Sequence, residues 1–193
     1  MDKQKIVSRK RIASGKWLFL EEVAYIGHDG VRRTWDCSMR RRGAAGAVAI
    51  VALLRPSMRL VLVRQFRPPV GGYVIEFPAG LVDKDEKPVA TAKRELYEET
   101  GYFGKIMDVS RPIYSSPGMT GESVRIVRME VDERTARNRR PRTAFDDGEH
   151  IETFLVPLKG LGAFLEKAYG KGDLLDAKVV SFAKGMQLAK EFG

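Results

Sequence analysis

The sequence predicts a mixed α+β domain with an N-terminal β-hairpin extension. Three observations carry this. Short apolar or alternating runs read as strands at GAVAIVALL (46–54), LVLVRQF (60–66), YVIEFPAGL (73–81), VRIVRMEV (124–131) and HIETFLVPL (150–158). One segment between them, 88–100, carries helix punctuation at both ends. The chain then closes on two helical stretches, and strands, a helix, strands and helices in that order make an α+β domain. A length of 193 residues suits one full hydrophobic core with a small appendage.

The elements follow in order. MDKQKIVSRKRIASGKW is basic and has no apolar centre, so no secretory signal is expected. WLFLEEVAYI (17–26) mixes apolar and acidic residues as a strand does, HDG (28–30) is a turn, and VRRTWDCSM (31–39) is the returning strand. Pro56 and Ser57 separate the first two core strands, and Pro78 breaks the third. Pro88 suits a first helical turn, and Gly101 is a natural stop. Residues 132–148 are polar and contain proline, a long loop of the kind that carries function. GLGAFLEKAYG (160–170) reads as a short helix. LLDAKVVSFAKGMQLAKEF (174–192) reads as a longer one, with Val179, Phe182, Met186 and Ala189 forming a core-packing stripe.

Composition sets the class. An apolar content of 44% with 31% charged residues describes a soluble globular chain, and no apolar run approaches a membrane span. The single cysteine, Cys37, cannot form an internal disulfide, which suits a reducing compartment and a cytoplasmic location. A net charge of +9 favours acidic partners. Arginines cluster in VRRTWDCSMRRR (31–42) and ARNRRPR (136–142). There is neither a zinc-finger spacing nor a dominant aromatic-and-basic RNA-reading signature, so a nucleotide is a better partner than nucleic acid.

Against this positive background, RELYEETGY (94–102) concentrates negative charge. Glu95 and Glu99 lie one helical turn apart, about 5–6 Å at Cβ, where like charges repel. A divalent cation between them turns repulsion into attraction. Mg²⁺ is the expected ion, with Mn²⁺ able to substitute, because it is held by a few carboxylates plus water and substrate phosphates. Such an ion also neutralises phosphate and activates water. Glu98 completes the cluster. Arg94 is expected to orient Glu86 or Glu98 with its planar fork. Gly80 and Ala79 allow close backbone approach.

The wider segment GLVDKDEKPVATAKRELYEETGY (80–102) fixes Gly80, Glu86, Arg94, Glu95, Leu96, Glu98, Glu99 and Gly101 at set spacings, with a bulky residue at Tyr102. This resembles the Nudix box; Tyr102 stands where an aliphatic residue is commoner. Pro117, sixteen residues after Gly101 in SSPGMTGE, resembles the ADP-ribose/ADP-sugar pyrophosphatase subgroup, as do SGKW, RTWD, QFRPPVGGYVIEFPAGL, DDGEHIE and DAKVVSFAKG in the same order. The resemblance implies a Nudix α/β/α sandwich over residues 44–193, with residues 1–43 as a dimerisation region. It implies a homodimer with exchanged N-terminal hairpins and Mg²⁺-dependent hydrolysis of an ADP-sugar diphosphate to AMP and a sugar phosphate.

The resemblance also implies roles for single residues. Trp17 and Trp35 would sandwich adenine from different subunits. Asp36 stands where relatives carry a glutamate at the base, which implies a looser or water-mediated contact. Arg40 and Arg67 would hold the nucleotide and its diphosphate, with Pro117 and Gly118 in the neighbouring turn. The Ala79 carbonyl joins Glu95, Glu99 and Glu76 at the metal. Glu149 is the catalytic base, with Asp146, Asp147 and Glu122 as competitors. Ser116 replaces an acidic residue, which leaves the sugar preference open. Rival readings are a housecleaning hydrolase of oxidised or other nucleoside diphosphates, an RNA-end hydrolase, and a nucleotide- or RNA-binding module that has lost turnover.

Overall fold

The computed structural model describes residues 4–41, 46–145, 148 and 150–192. Twelve strands are described: β1 (Lys5–Ser14), β2 (Leu18–Ile26), β3 (Arg32–Arg40), β4 (Ala47–Arg55), β5 (Arg59–Arg67), β6 (Gly72–Glu76), β7 (Ala79–Leu81), β8 (Lys105–Val109), β9 (Ile113–Tyr114), β10 (Ser123–Asp132), β11 (Ile151–Pro157) and β12 (Leu174–Leu175). The helices are α1 (Pro88–Thr100), α2 (Ala136–Arg139), α3 (Leu161–Gly170) and α4 (Ala177–Phe192).

The main sheet runs β12-β6-β5-β4-β10-β8, with β11 on β5, β7 on β4 and β9 on β10. It is mixed: β4 and β10 pair parallel, as do β6 and β12. Because β4 is covered on both faces, it reads as a continuous apolar run. Its residues Val48, Ile50, Ala52 and Leu54 join Val61, Ala92, Leu96 and Met129 under α1. Val51 and Leu53 face the other way, toward Ile75, Phe77, Leu161 and Leu165 under α3 and α4. Two apolar clusters on either side of one sheet are the α/β/α sandwich expected from the sequence.

Four differences have local causes. The N-terminal extension is a three-stranded sheet, β1-β2-β3, rather than a two-stranded hairpin. KIVSRKRIAS lacks strict alternation, and all of β1 is exposed, so no buried face marked it in the sequence. Leu174 and Leu175 are a strand on Val74 and Ile75 rather than the start of the last helix. The Asp176 carboxylate accepts the Lys178 N–H at 2.9 Å and caps α4 there. The stripe on α4 is buried at Val179 and packed at Phe182, but Ala189 is exposed as the helix runs off the sheet. The loop after β10 holds a helical turn, α2, pinned by buried Asn138. Its Oδ1 accepts the Phe103 N–H at 2.9 Å, and its Nδ2 donates to the carbonyls of Phe103 at 2.9 Å and Asp132 at 3.0 Å. The short strands β8 and β9 carried no sequence signal of their own.

Leu96 is fully buried between α1 and the sheet. Leu96→Ala is expected to cost about 2–5 kcal/mol, as large-to-small core substitutions do. Urea denaturation measures this, and a loss below about 1 kcal/mol would show that α1 is not anchored through this residue.

Candidate active site

The last two turns of α1 carry the charged cluster. Pro88 opens the helix, and Gly101, at φ 73°, closes it with its N–H on the Tyr97 carbonyl at 2.7 Å. A β-carbon on Gly101 would stand 2.4 Å from the Arg142 backbone nitrogen, so the helix end and the arginine-rich segment fit only around glycine. Arg94 is the hub. It grips Glu86 with Nε at 3.2 Å and Nη2 at 3.0 Å, while Nη1 reaches Glu95 at 2.8 Å and Glu98 at 2.9 Å. Arg94 holds the Glu86 carboxyl below its ordinary range, and the Thr91 hydroxyl, donating at 2.8 Å, assists. The sequence had offered Glu86 or Glu98 as the partner of Arg94; the side chain contacts both and Glu95 as well. Thr91 was not marked by the motif spacing.

Gly80 explains its own presence. A β-carbon there would lie 1.9 Å from the Glu95 carboxyl carbon, so Glu95 crosses directly over β7. Next to it, the Ala79 N–H donates to Glu99 at 3.1 Å. Glu99 is buried, and that burial, reinforced by the charges of Glu95 and Glu76, pushes its carboxyl up to about 9. Glu76 is buried at the end of β6. Burial raises its carboxyl as well, against the opposing hydrogen bond from Arg67 Nε at 2.8 Å.

The donor set fits a divalent cation. Glu76, Glu86, Glu95, Glu98 and Glu99 meet only two guanidinium groups, Arg67 and Arg94, in these contacts. Carboxylate oxygens suit a hard ion. Among the described residues no three acidic, histidine or cysteine side chains converge on one point. Arg94, Arg67 and the Ala79 N–H hold their oxygens instead.

Apart from Arg67, which ends β5 beside Glu76, the residues expected to take the nucleotide lie on or next to the N-terminal sheet and in the turn before β10. The Trp35 indole N–H donates to the Gly118 carbonyl at 2.9 Å, and the Ser38 N–H to the Met119 carbonyl at 2.9 Å. Arg40 pairs with Glu122. Trp35, Pro117, Tyr25 and Val23 line a cavity of about 360 Å³. Asp36 is exposed on β3 opposite Glu22. Trp17 and Trp35 are 67% and 52% exposed. They do not meet: Trp35 sits opposite Val23, whereas the Trp17 carbonyl accepts the Arg41 N–H. Six positions along the ladder at about 3.3 Å each set the backbones of the two tryptophans roughly 20 Å apart within one chain. Asp146, Asp147 and Glu149 lie outside the described residues; the segment leading to them is tied to α1 by the Ala144 N–H on the Glu98 carbonyl at 2.9 Å.

Residues 44–177 match the NUDIX domain family. The chain is 37% identical over 191 residues to the ADP-ribose pyrophosphatase of Saccharomyces cerevisiae, covering 95% of this chain and 82% of that one. It is 34% identical over 194 residues to the ADP-sugar pyrophosphatase of Mus musculus, covering 97% and 89%. Its fold is similar to the crystal structure of an ADP compounds hydrolase, with a TM-score of 0.71 at 22% identity over 100% of this chain and 97% of that one.

The raised Glu99 carboxyl has a pH signature. Its folded-state value of about 9 lies above the ordinary 4.5, so metal-free folded protein holds this proton more tightly than the unfolded chain. The stability it contributes is full below about pH 4.5 and is lost as the pH rises toward 9. In EDTA, Glu99→Gln is therefore expected to raise the Tm relative to the parent more at pH 8 than at pH 5. Equal shifts at the two pH values, read by differential scanning fluorimetry, would remove the buried carboxylate as the cause.

Proposed function

This chain belongs to the family of the NUDIX domain, and from that premise we propose that it hydrolyses the diphosphate of ADP-ribose or a related ADP-sugar, giving AMP and a sugar phosphate. One observation carries the reading: buried Glu99 faces Glu95 and Glu76 beside the Ala79 backbone, with Arg94 fixing the surrounding acids. Relatives over nearly the whole length that are named for ADP-ribose and ADP-sugars supply the substrate class.

Glu95, Glu99, Glu76 and the Ala79 carbonyl would hold Mg²⁺. When bound, the ion supplies neutralisation of the diphosphate charge and a more acidic water. Arg94 keeps Glu95 and Glu98 from swinging away, and Glu86 backs Arg94. Arg67 and Arg40 offer forked donors to phosphate oxygens. Glu149 is the proposed base that takes the proton of the attacking water, the loop that carries it entering beside α1 through Ala144. Adenine stacks between Trp17 of one chain and Trp35 of a second, with Asp36 at the base edge and Pro117 and Gly118 in the adjoining turn. The roughly 20 Å between the backbones of the two tryptophans within one chain supports a slot built by two subunits. Residues 1–43 thus serve dimerisation. The free thiol of Cys37 suits a reducing, cytoplasmic location.

Purified protein with Mg²⁺ is expected to release AMP from ADP-ribose faster than it turns over oxidised guanine nucleotides, as product analysis across a nucleotide panel would show. Glu99→Gln should abolish nearly all of that turnover in a folded protein, since an amide is a poor ligand for a hard cation; near-normal turnover would sink the metal assignment.

The stacking slot is tested separately. Base–aromatic stacking is worth about 1–3 kcal/mol per base, so Trp35→Ala should raise KM for ADP-ribose about 5- to 150-fold with a smaller effect on kcat. Mixing Trp17→Ala with Trp35→Ala subunits should rebuild one slot per heterodimer and restore part of the activity at low substrate. A fully active monomer, or an unchanged KM in Trp35→Ala, would return both tryptophans to ordinary surface positions.

A further inference from the structure

The face of β5 that looks toward α3 breaks its own pattern. Leu60 and Leu62 point there and are buried. The next position on that face is Arg64, a cation in a strand flanked by β6 and β11. Its direct cross-strand neighbour, Glu152, is also charged. Arg64 Nη1 donates to Glu152 and Nε to Asp173, each at 2.7 Å, and the guanidinium lies 3.9 Å over the Tyr73 ring. A helix packed tightly onto this end of the sheet would bury three charges. Instead a cavity of about 470 Å³ opens between sheet and helix, within the roughly 300–1,000 Å³ of small-molecule sites.

The helical wall of this cavity is amphipathic in a specific way. Phe164, Lys167, Ala168 and Lys171 line it at helical spacing, one face of α3 and its C-terminal cap. The Phe164 ring stands 5.5 Å from that of Phe154 on β11, making an apolar wall. Lys167 and Lys171 are exposed, and neither ammonium has an ion-pair partner among the described residues. Ile75 lines the cavity while the next residue, Glu76, faces the opposite side of the sheet, so this is not the cluster beneath α1.

We propose that this cavity is a second ligand site, for a nucleoside monophosphate. The phosphate sits against Lys167 and Lys171, the base lies on the Phe154–Phe164 wall, and ribose hydroxyls donate to Glu152 and Asp173. Both carboxylates keep spare lone pairs after accepting from Arg64, and Arg64 neutralises part of their charge so that they tolerate the nearby phosphate. A purely apolar ligand would leave the charged rim unanswered, and inorganic phosphate would leave the aromatic wall unused. This assignment is independent of the hydrolysis proposed above.

Equilibrium dialysis of radiolabelled AMP against the full chain tests it. Two classes of AMP site per chain are expected. The double variant Lys167→Glu/Lys171→Glu should lose one class, and Trp35→Ala should lose the other. Phe164→Leu, which keeps the volume apolar, should weaken the first class at least tenfold, and equimolar inorganic phosphate should not displace AMP from it. The lysine variant should keep its AMP release from saturating ADP-ribose, so absence of hydrolysis in the parent would count against the enzymatic reading and leave the cavity site standing. Unchanged AMP stoichiometry in the folded lysine variant, or an undiminished affinity in Phe164→Leu, would overturn the proposal.

Discussion

Holding several carboxylates together at the edge of an apolar core is the constraint around which the rest of this molecule is arranged. Glu99 is buried with Glu95 and Glu76 close enough to oppose its ionisation. Like charges in such a place are tolerated only if backbone and cations bind them firmly or a further positive charge arrives. The chain meets this with rigid scaffolding. Arg94 bridges three acids, Arg67 holds Glu76, and the Ala79 N–H takes Glu99. Gly80 then has to be glycine, because Glu95 occupies the space of any β-carbon. The position of α1 over β4, fixed by Leu96 and Ala92, follows from the same need.

The sheet separates tasks by the two-residue alternation of its strands. On β6, Ile75 packs toward α3 and α4, while Glu76 reaches the acidic cluster on the other side. On β5, Arg64 and Arg67 face opposite layers, each with its own carboxylate partner. One pair of strands therefore serves two chemically different surfaces. The N-terminal sheet contributes little core. Its strand β1 is exposed throughout, and Ile6, Val7 and Ile12 are open to solvent. An apolar and basic sheet left uncovered in one chain accords with the proposal that a second copy completes it.

Much of this was legible from the residues. The apolar runs of β4 and β5 announced strands buried on both faces, and Pro88 and Gly101 gave α1 its bounds as the structure has them. Within those bounds the spacing placed Glu95, Glu98 and Glu99 on one helix. Other features had no local signal. β1 has no buried face, so hydrophobic periodicity could not reveal it. Leu174 and Leu175 did carry a local signal, the capping residue Asp176 that begins α4 after them, but their apolar character matched the helical stripe that follows. The turn at 136–139 is held by Asn138 reaching back to Phe103, 35 residues earlier.

What the sequence determined by itself is what depends on neighbours along the chain: strand and helix type, caps, and the fixed spacing of the charged residues on α1. What only the tertiary structure decided is what depends on groups distant in sequence. It showed that Arg94 reaches Glu95 as well as Glu86 and Glu98, and that the Trp35 indole is tied to the Gly118 carbonyl. It showed that the backbones of Trp17, just before β2, and Trp35, on β3, lie far apart, and that Arg64 faces a cavity rather than bulk water. The physical reason is that hydrogen bonds, desolvation and charge coupling depend on separation in space, and strand register and helix docking set that separation.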